Sequence, residues 1–181
     1  MPTVTFALAP YLANAGTLLD YTSESGRAHY DAAVAPLGKG EKRKLGYELT
    51  PSDAFALLTT LTTRANKMGW SAQGGILWVE DSENNNRSMI DEYGVLTLEE
   101  ITQSEETTLQ SKTRRAQDSH MLYHCLWNSM SQKATTTIGL NSSECCIAYD
   151  AEPEPVPSGL LLLRFILQKA QMESTASLLA I

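Results

Sequence analysis

The sequence has few cysteines, and they lack the spacing of a disulfide framework. It contains three cysteines, two of them adjacent at Cys145 and Cys146. An odd number without a regular pattern argues against a small secreted domain held together by disulfides, and it favours a reducing compartment. We therefore expect an intracellular protein.

Long hydrophobic runs and an amino-terminal targeting signal are also lacking. The first basic residue is Arg27, and the early apolar run Phe6–Ala9 ends at Pro10, which does not fit a secretory signal. The most apolar stretch, Gly159–Leu167, is too short to cross a bilayer and contains Arg164. These features predict a cytoplasmic protein without membrane contact.

Positive charge is scarce. Fourteen Lys and Arg against 21 Asp and Glu give a net charge of −7, so the chain has no general attraction to the phosphates of nucleic acids. The one dense basic run is "KGEKRK". Its cations, Lys39, Lys42, Arg43 and Lys44, are a candidate contact for a polyanion, and the alternative is a solvated loop.

Common catalytic motifs are absent, including G-x-S-x-G, G-x-x-x-x-G-K and G-x-G-x-x-G. His120 and His124 have the four-residue spacing that places two imidazoles on one helix face. A catalytic zinc needs three protein ligands, and Met121 stands where a zinc-protease motif has glutamate. We predict no catalytic residue, metal or cofactor, and the alternative is a small metal-dependent hydrolase using the two histidines.

The sequence does contain clear helix signals. Thr50, Pro51 and Asp53 predict a helix start, and "TLEE" at Thr97–Glu100 is a capping box. After Pro51, apolar residues recur at helical spacing up to Gly69: Ala54, Phe55, Leu58, Leu61, Ala65 and Met68. Further helices are predicted over Glu24–Ala35, Lys112–Met130 and Gly159–Met172. The predicted fold is mainly α, with at most a short β segment near residues 76–79.

Two of these helices have apolar faces with different predicted roles. In the helix over Lys112–Met130, one arc forms a core face: Leu122, Tyr123, Leu126, Trp127 and Met130. The helix from Gly159 is apolar on nearly every side, so we expect it to have surplus surface for self-association. The side chains assigned to that contact are Leu160, Leu163, Phe165, Ile166 and Leu167.

Composition shifts suggest four segments along the chain. Residues 1–22 are predicted to be an extended arm, and residues 23–150 a helical domain. The Pro-rich residues 151–158 are predicted to be a hinge, because prolines at this density cannot form a helix. Residues 159–181 would then begin a further helical segment.

In this order, five segments resemble the Gag-like region of copia-type LTR retrotransposons from diatoms and related algae. The family pattern opens with "FxLxP…LLDY…G…Y…A…PL" and continues with "F…L…RA…GW" and "I…YG…(T/S)…I". A helix with Arg, Gln-Asp and "M…C…S" follows, and then "SG…LL…I…………TA". The matching segments are Phe6–Leu37, Phe55–Trp70, Ser88–Ile101, Arg114–Met130 and Ser158–Ser177.

The resemblance implies a capsid-like helical bundle that multimerises into a cytoplasmic virus-like particle around the element's RNA. The activity would be structural, and the partner would be further copies of the same chain. Proteins of this type often carry a C-C-H-C zinc knuckle further along, and the cysteines here lack that spacing. The resemblance therefore implies a fragment or degenerate copy that meets RNA only through other parts. A host-derived adaptor that kept the fold and lost assembly is the remaining alternative.

Overall fold

The computed structural model describes residues 18–179, and within them the side chains of residues 18–171. Most of the predicted extended arm over residues 1–22 lies outside the described residues. Seven α-helices occupy the described chain, namely α1 (Glu24–Val34), α2 (Glu41–Leu45), α3 (Pro51–Met68), α4 (Leu98–Ser111), α5 (Arg114–Ser129), α6 (Gln132–Leu140) and α7 (Gly159–Leu179). The prediction of a mainly α fold is confirmed.

Two small antiparallel sheets complete the described architecture. Strand β1 (Trp78–Glu80) pairs with β2 (Asn86–Ser88), with Val79 opposite Arg87. Strand β3 (Cys146–Ile147) pairs with β4 (Val156–Pro157). Short 3-10 turns occupy Tyr93–Val95 and Ser142–Cys145. The short β segment expected near residues 76–79 corresponds to β1, whereas the second sheet was not predicted.

The helix starts follow the local capping chemistry. At the start of α3, the Asp53 backbone N–H donates to Thr50 Oγ1 at 3.3 Å, and Gly69 closes the helix with φ +80°. At the start of α4, the Thr97 N–H donates to Glu100 Oε1 at 2.8 Å, and the Glu100 N–H donates to Thr97 Oγ1 at 3.2 Å. Each contact satisfies an N–H that the helix itself cannot pair, so these boundaries are set by sequence neighbours.

Helix α7 lies at the centre of the molecule. It packs against α3, α4, α5 and the turn Ser142–Cys145. The five side chains predicted to join subunits are at most 5% exposed, namely Leu160, Leu163, Phe165, Ile166 and Leu167. The prediction that they form a self-association surface is wrong, because neighbouring elements of the same molecule already cover these five side chains.

The Pro-rich segment does not separate α7 from the preceding helices. Within residues 151–158, strand β4 is fixed to β3, and the Ser158 N–H donates to the Cys145 carbonyl at 2.9 Å. The chain then passes directly into α7, which shares its core with α3 and α5. Residues 23–150 and the described part of 159–181 therefore form one packing unit, in contrast to the predicted division at a hinge.

Helix α5 is the core helix that the sequence predicted, but its buried face is rotated. Leu122, Leu126 and Met130 are buried as expected. Tyr123 and Trp127 are only partly buried, so their assignment to the core face is corrected. Met121 and Cys125 are fully buried in their place. The reason is non-local, because α5 is covered by α1, α4 and α7 from different sides.

Candidate functional site

The two histidines of α5 contact each other. His120 Nε2 and His124 Nε2 are 3.1 Å apart, so one ring donates its proton to the other. Burial lowers the pKa of both imidazoles, and for His120 the nearby charge of His124 lowers it further. Both rings are therefore mainly neutral at pH 7. Among the described residues, no group of three His, Cys, Asp or Glu side chains could hold a metal ion.

His120 also lines a cavity of about 820 Å³ between α5 and the β3–β4 hairpin. Its wall is mixed, with apolar Leu18 and Val156, the ring of Tyr149, and the charges of Lys112 and Glu152. Those two charges form a surface ion pair, with Lys112 Nζ 3.4 Å from Glu152 Oε1. The size suits a small organic ligand.

A buried carboxylate joins three helices. Glu105 of α4 is fully buried, and its Oε2 accepts hydrogen bonds from Ser119 Oγ and Ser158 Oγ, each at 2.5 Å. Ser119 Oγ in turn accepts the Gly159 N–H at 3.0 Å, and Ser158 Oγ accepts the Leu161 N–H at 3.1 Å. Burial raises the pKa of Glu105 although both hydroxyls oppose the rise. With no access from solvent, this cluster is structural.

A second buried polar cluster joins α1 to α5. Arg114 Nε donates to Asp118 Oδ1 at 3.3 Å, and Arg114 Nη2 lies 3.3 Å from His29 Nε2. All three side chains are fully buried. Burial, and then the charge of Arg114, lower the pKa of His29 to about 4. The imidazole is therefore neutral at physiological pH, and the cluster also has a structural role.

The predicted polyanion contact is only partly assembled. Lys42 Nζ is 2.8 Å from Asp53 Oδ2, so its charge is paired within the molecule. Lys44 is exposed on α2 and does not line the neighbouring pocket. Lys39 and Arg43 do line it, together with Arg64 and Lys67 of α3. This pocket is thus lined by two of the four predicted cations and by two that were not predicted.

Arg64 and Lys67 were missed, although the sequence contains a signal for them. Thr60, Thr63, Arg64 and Lys67 occupy positions i, i+3, i+4 and i+7 of α3, which share one helix face. Only the apolar periodicity of this helix was used to predict its packing. The polar face could have been found in the same way, but its proximity to α2 could not.

Several large apolar side chains are exposed on the outer surface. Phe55 was expected in the apolar series of α3 but is 75% exposed, whereas Leu57 is fully buried. Leu45, at the end of α2, is 66% exposed, and Leu140, at the end of α6, is 83% exposed. Exposed apolar side chains of this size are candidates for contact with another molecule.

Comparison of the chain with models of protein families, with curated proteins and with solved structures finds no match. Among the described helices, none is both long and apolar enough to cross a bilayer.

Proposed function

We propose that the chain is a structural protein of the Gag capsid type, which acts by self-association in a cytoplasmic virus-like particle and catalyses no reaction. The proposal rests on the resemblance to copia-type Gag-like regions. One structural observation supports it above others. The residues that carry the resemblance contact one another across the fold.

The first such contact joins the "LLDY" segment to the helix with Gln-Asp. The Leu19 N–H donates to Gln117 Oε1 at 2.7 Å, and Gln117 Nε2 donates back to the Leu19 carbonyl at 3.0 Å. This two-way pairing fixes the chain before α1 against α5. Leu19 and Gln117 are 98 positions apart in sequence, so this contact can form only in a chain that contains both segments.

Other motif residues make equivalent contacts. The Leu37 N–H, at the end of the first segment, donates to Ser129 Oγ of α5 at 2.8 Å. Arg64 Nη1, from the "RA" of α3, donates to the carbonyls of Ala33 and Ala35 at 2.8 Å each. At Gly159, an added Cβ would collide with the Ser119 carbonyl and with the Leu122 side chain. Four of the five segments therefore contribute residues to contacts between elements, as a shared fold would require.

Self-association would use the outer surface, because the apolar side chains of α7 up to Leu167 are already buried. Phe55 is the most suitable side chain to test, since it is large, apolar and 75% exposed. Burying a side chain of this kind contributes about 1.5–3 kcal/mol. We place the contact between copies on the outer face of α3 that carries Phe55.

Sedimentation velocity over a range of protein concentrations tests this proposal. The mass of the parent protein should rise above the 19.8 kDa of one chain as concentration increases. Phe55→Asp should require a concentration higher by about tenfold or more for the same assembly. Val95→Asp is the matched control, because it adds the same charge at an exposed apolar side chain of a different element, the turn Tyr93–Val95, and it should assemble nearly like the parent.

Far-ultraviolet circular dichroism should show the same helical content in all three proteins. A parent that stays monomeric at every concentration would exclude the capsid function and favour the adaptor. Equal assembly of the parent and Phe55→Asp would exclude this face of α3 as the contact.

A further inference from the structure

A small pocket on the surface of this acidic protein is lined by cations. It has a volume of about 320 Å³ and lies between the loop after α1, helix α2 and the polar face of α3. Lys39 and Arg43 contribute from the loop and α2, and Arg64 and Lys67 from α3. Thr60 and Thr63 add hydroxyl groups to the same wall.

The charge of this pocket differs from that of the rest of the chain. Its described lining contains four cationic side chains and no carboxylate, whereas the whole chain carries −7. The polar pocket beside β1 has the opposite balance, with Glu80, Asp81 and Glu100 against Arg115. Lys39, Arg43 and Arg64 line one pocket, and like charges that share a pocket are unfavourable unless an anion neutralises them. The pocket is therefore complementary to a ligand with several negative charges.

Arg64 is held in place before any ligand arrives. Its Nη1 is bound by the carbonyls of Ala33 and Ala35 at the end of α1, and it also lies 3.6 Å from Cys125 Sγ. A guanidinium fixed through one nitrogen still has Nε and Nη2 as donors, and its planar fork suits the oxygens of a phosphate. This arrangement reduces the entropy that binding would cost.

The loop that carries Lys39 is shaped by a close contact. Gly38 has φ +103°, and an added Cβ would lie 2.9 Å from Tyr47 Oη. Tyr47 Oη in turn lies 3.3 Å from Thr60 Oγ1, on the wall of the pocket. Glycine thus lets the loop approach α3 closely enough for Lys39 and Arg43 to share the pocket with Arg64.

We propose that this pocket binds a compact anion with several phosphate groups. Lys39 and Arg43 supply exposed positive charges, and the partly buried Arg64 supplies a fixed donor. A volume of about 320 Å³ suits a short phosphate chain rather than a folded nucleic acid. The inference is independent of self-association, because all lining residues belong to one molecule.

Isothermal titration of the full chain with sodium tripolyphosphate tests the site. The parent should bind at one saturable site, with affinity that falls as salt is added. Arg43→Glu should weaken binding by about tenfold or more, because it removes a charge-assisted contact and adds a like charge. Lys44→Glu is the matched control, since it makes the same charge change on the next residue of α2 but outside the pocket.

The affinity for tripolyphosphate should fall by about tenfold or more in Arg43→Glu and by less than about threefold in Lys44→Glu. Equal weakening by both variants would mean diffuse attraction and would overturn the proposal, as would the absence of saturable binding to the parent. A single-stranded RNA oligonucleotide forms the second arm. RNA binding that tripolyphosphate does not displace would overturn the compact-anion site in favour of a nucleic-acid surface.

Discussion

At the scale of single residues, Glu105 shows how a buried carboxylate can organise a helix junction. Two serine hydroxyls donate to its Oε2, and each hydroxyl also accepts an N–H from the first turn of α7. The positive end of the α7 dipole favours a negative group here, yet burial still raises the pKa of Glu105. Glu105 therefore stabilises the junction chiefly as a hydrogen-bond acceptor, whereas burial of its negative charge is unfavourable.

Substitution separates these two contributions. Glu105→Gln keeps an acceptor and removes the charge, so its free energy of unfolding at pH 8 should lie within about 1 kcal/mol of the parent or above it. Glu105→Leu leaves both hydroxyls without their acceptor and should lose about 2–3 kcal/mol. Urea denaturation measures both values. An equally large loss in the two variants would mean that the negative charge itself stabilises the junction.

At the scale of elements, α7 stabilises the fold through burial. Leu163 is fully buried, and Leu163→Ala should lower the free energy of unfolding by about 2–5 kcal/mol through lost contacts and a cavity. Leu140→Ala is the control, because Leu140 is 83% exposed, and its effect should stay within about 0.5 kcal/mol. Thermal unfolding followed by circular dichroism compares them. Similar values for the two variants would contradict the central position of α7.

The elements also show which features the sequence could predict. The starts of α3 and α4 were predicted because their caps lie within three residues of the groups that they bond. The direction in which each apolar face points was harder to predict, because it depends on elements that are distant in sequence. Trp127 was placed on the predicted core face and the buried Cys125 was not among its residues, because a helical wheel cannot show that α5 is covered from several sides.

The residues of the candidate anion pocket were also only partly predictable from the sequence. The basic run predicted Lys39 and Arg43, which are close in sequence. Arg64 could not be assigned to the same pocket, because its position depends on carbonyls of α1 some 30 positions earlier, at Ala33 and Ala35. Lys42 was predicted to contact the anion, but it pairs with Asp53 of α3 instead. This pairing also depends on how α2 and α3 pack, which the sequence does not show.

At the scale of the whole molecule, stability should depend on pH through His29. Its pKa is lowered to about 4 by burial and by Arg114, against an ordinary value of 6.5. Between these two values the unfolded chain binds a proton that the folded chain does not, so acid favours unfolding. The free energy of unfolding should fall by about 3 kcal/mol from pH 7 to pH 4, and this contribution should level off below pH 4.

Urea denaturation at several pH values measures this dependence, with His29→Gln as the comparison. In the variant, the free energy of unfolding should fall less steeply between pH 6.5 and pH 4, even if the variant is less stable overall. His120 and His124 also have lowered pKa values and contribute to the acid loss in both proteins. Parallel curves for parent and variant would show that His29 does not titrate differently on folding.

The central position of α7 also has a consequence for synthesis. This helix follows all the other described helices along the chain, and yet α3, α4 and α5 all pack against it. While translation is in progress, the apolar faces of those helices emerge from the ribosome before the helix that will cover them. The contacts that bury those faces therefore cannot form until residues 159–171 have left the exit tunnel.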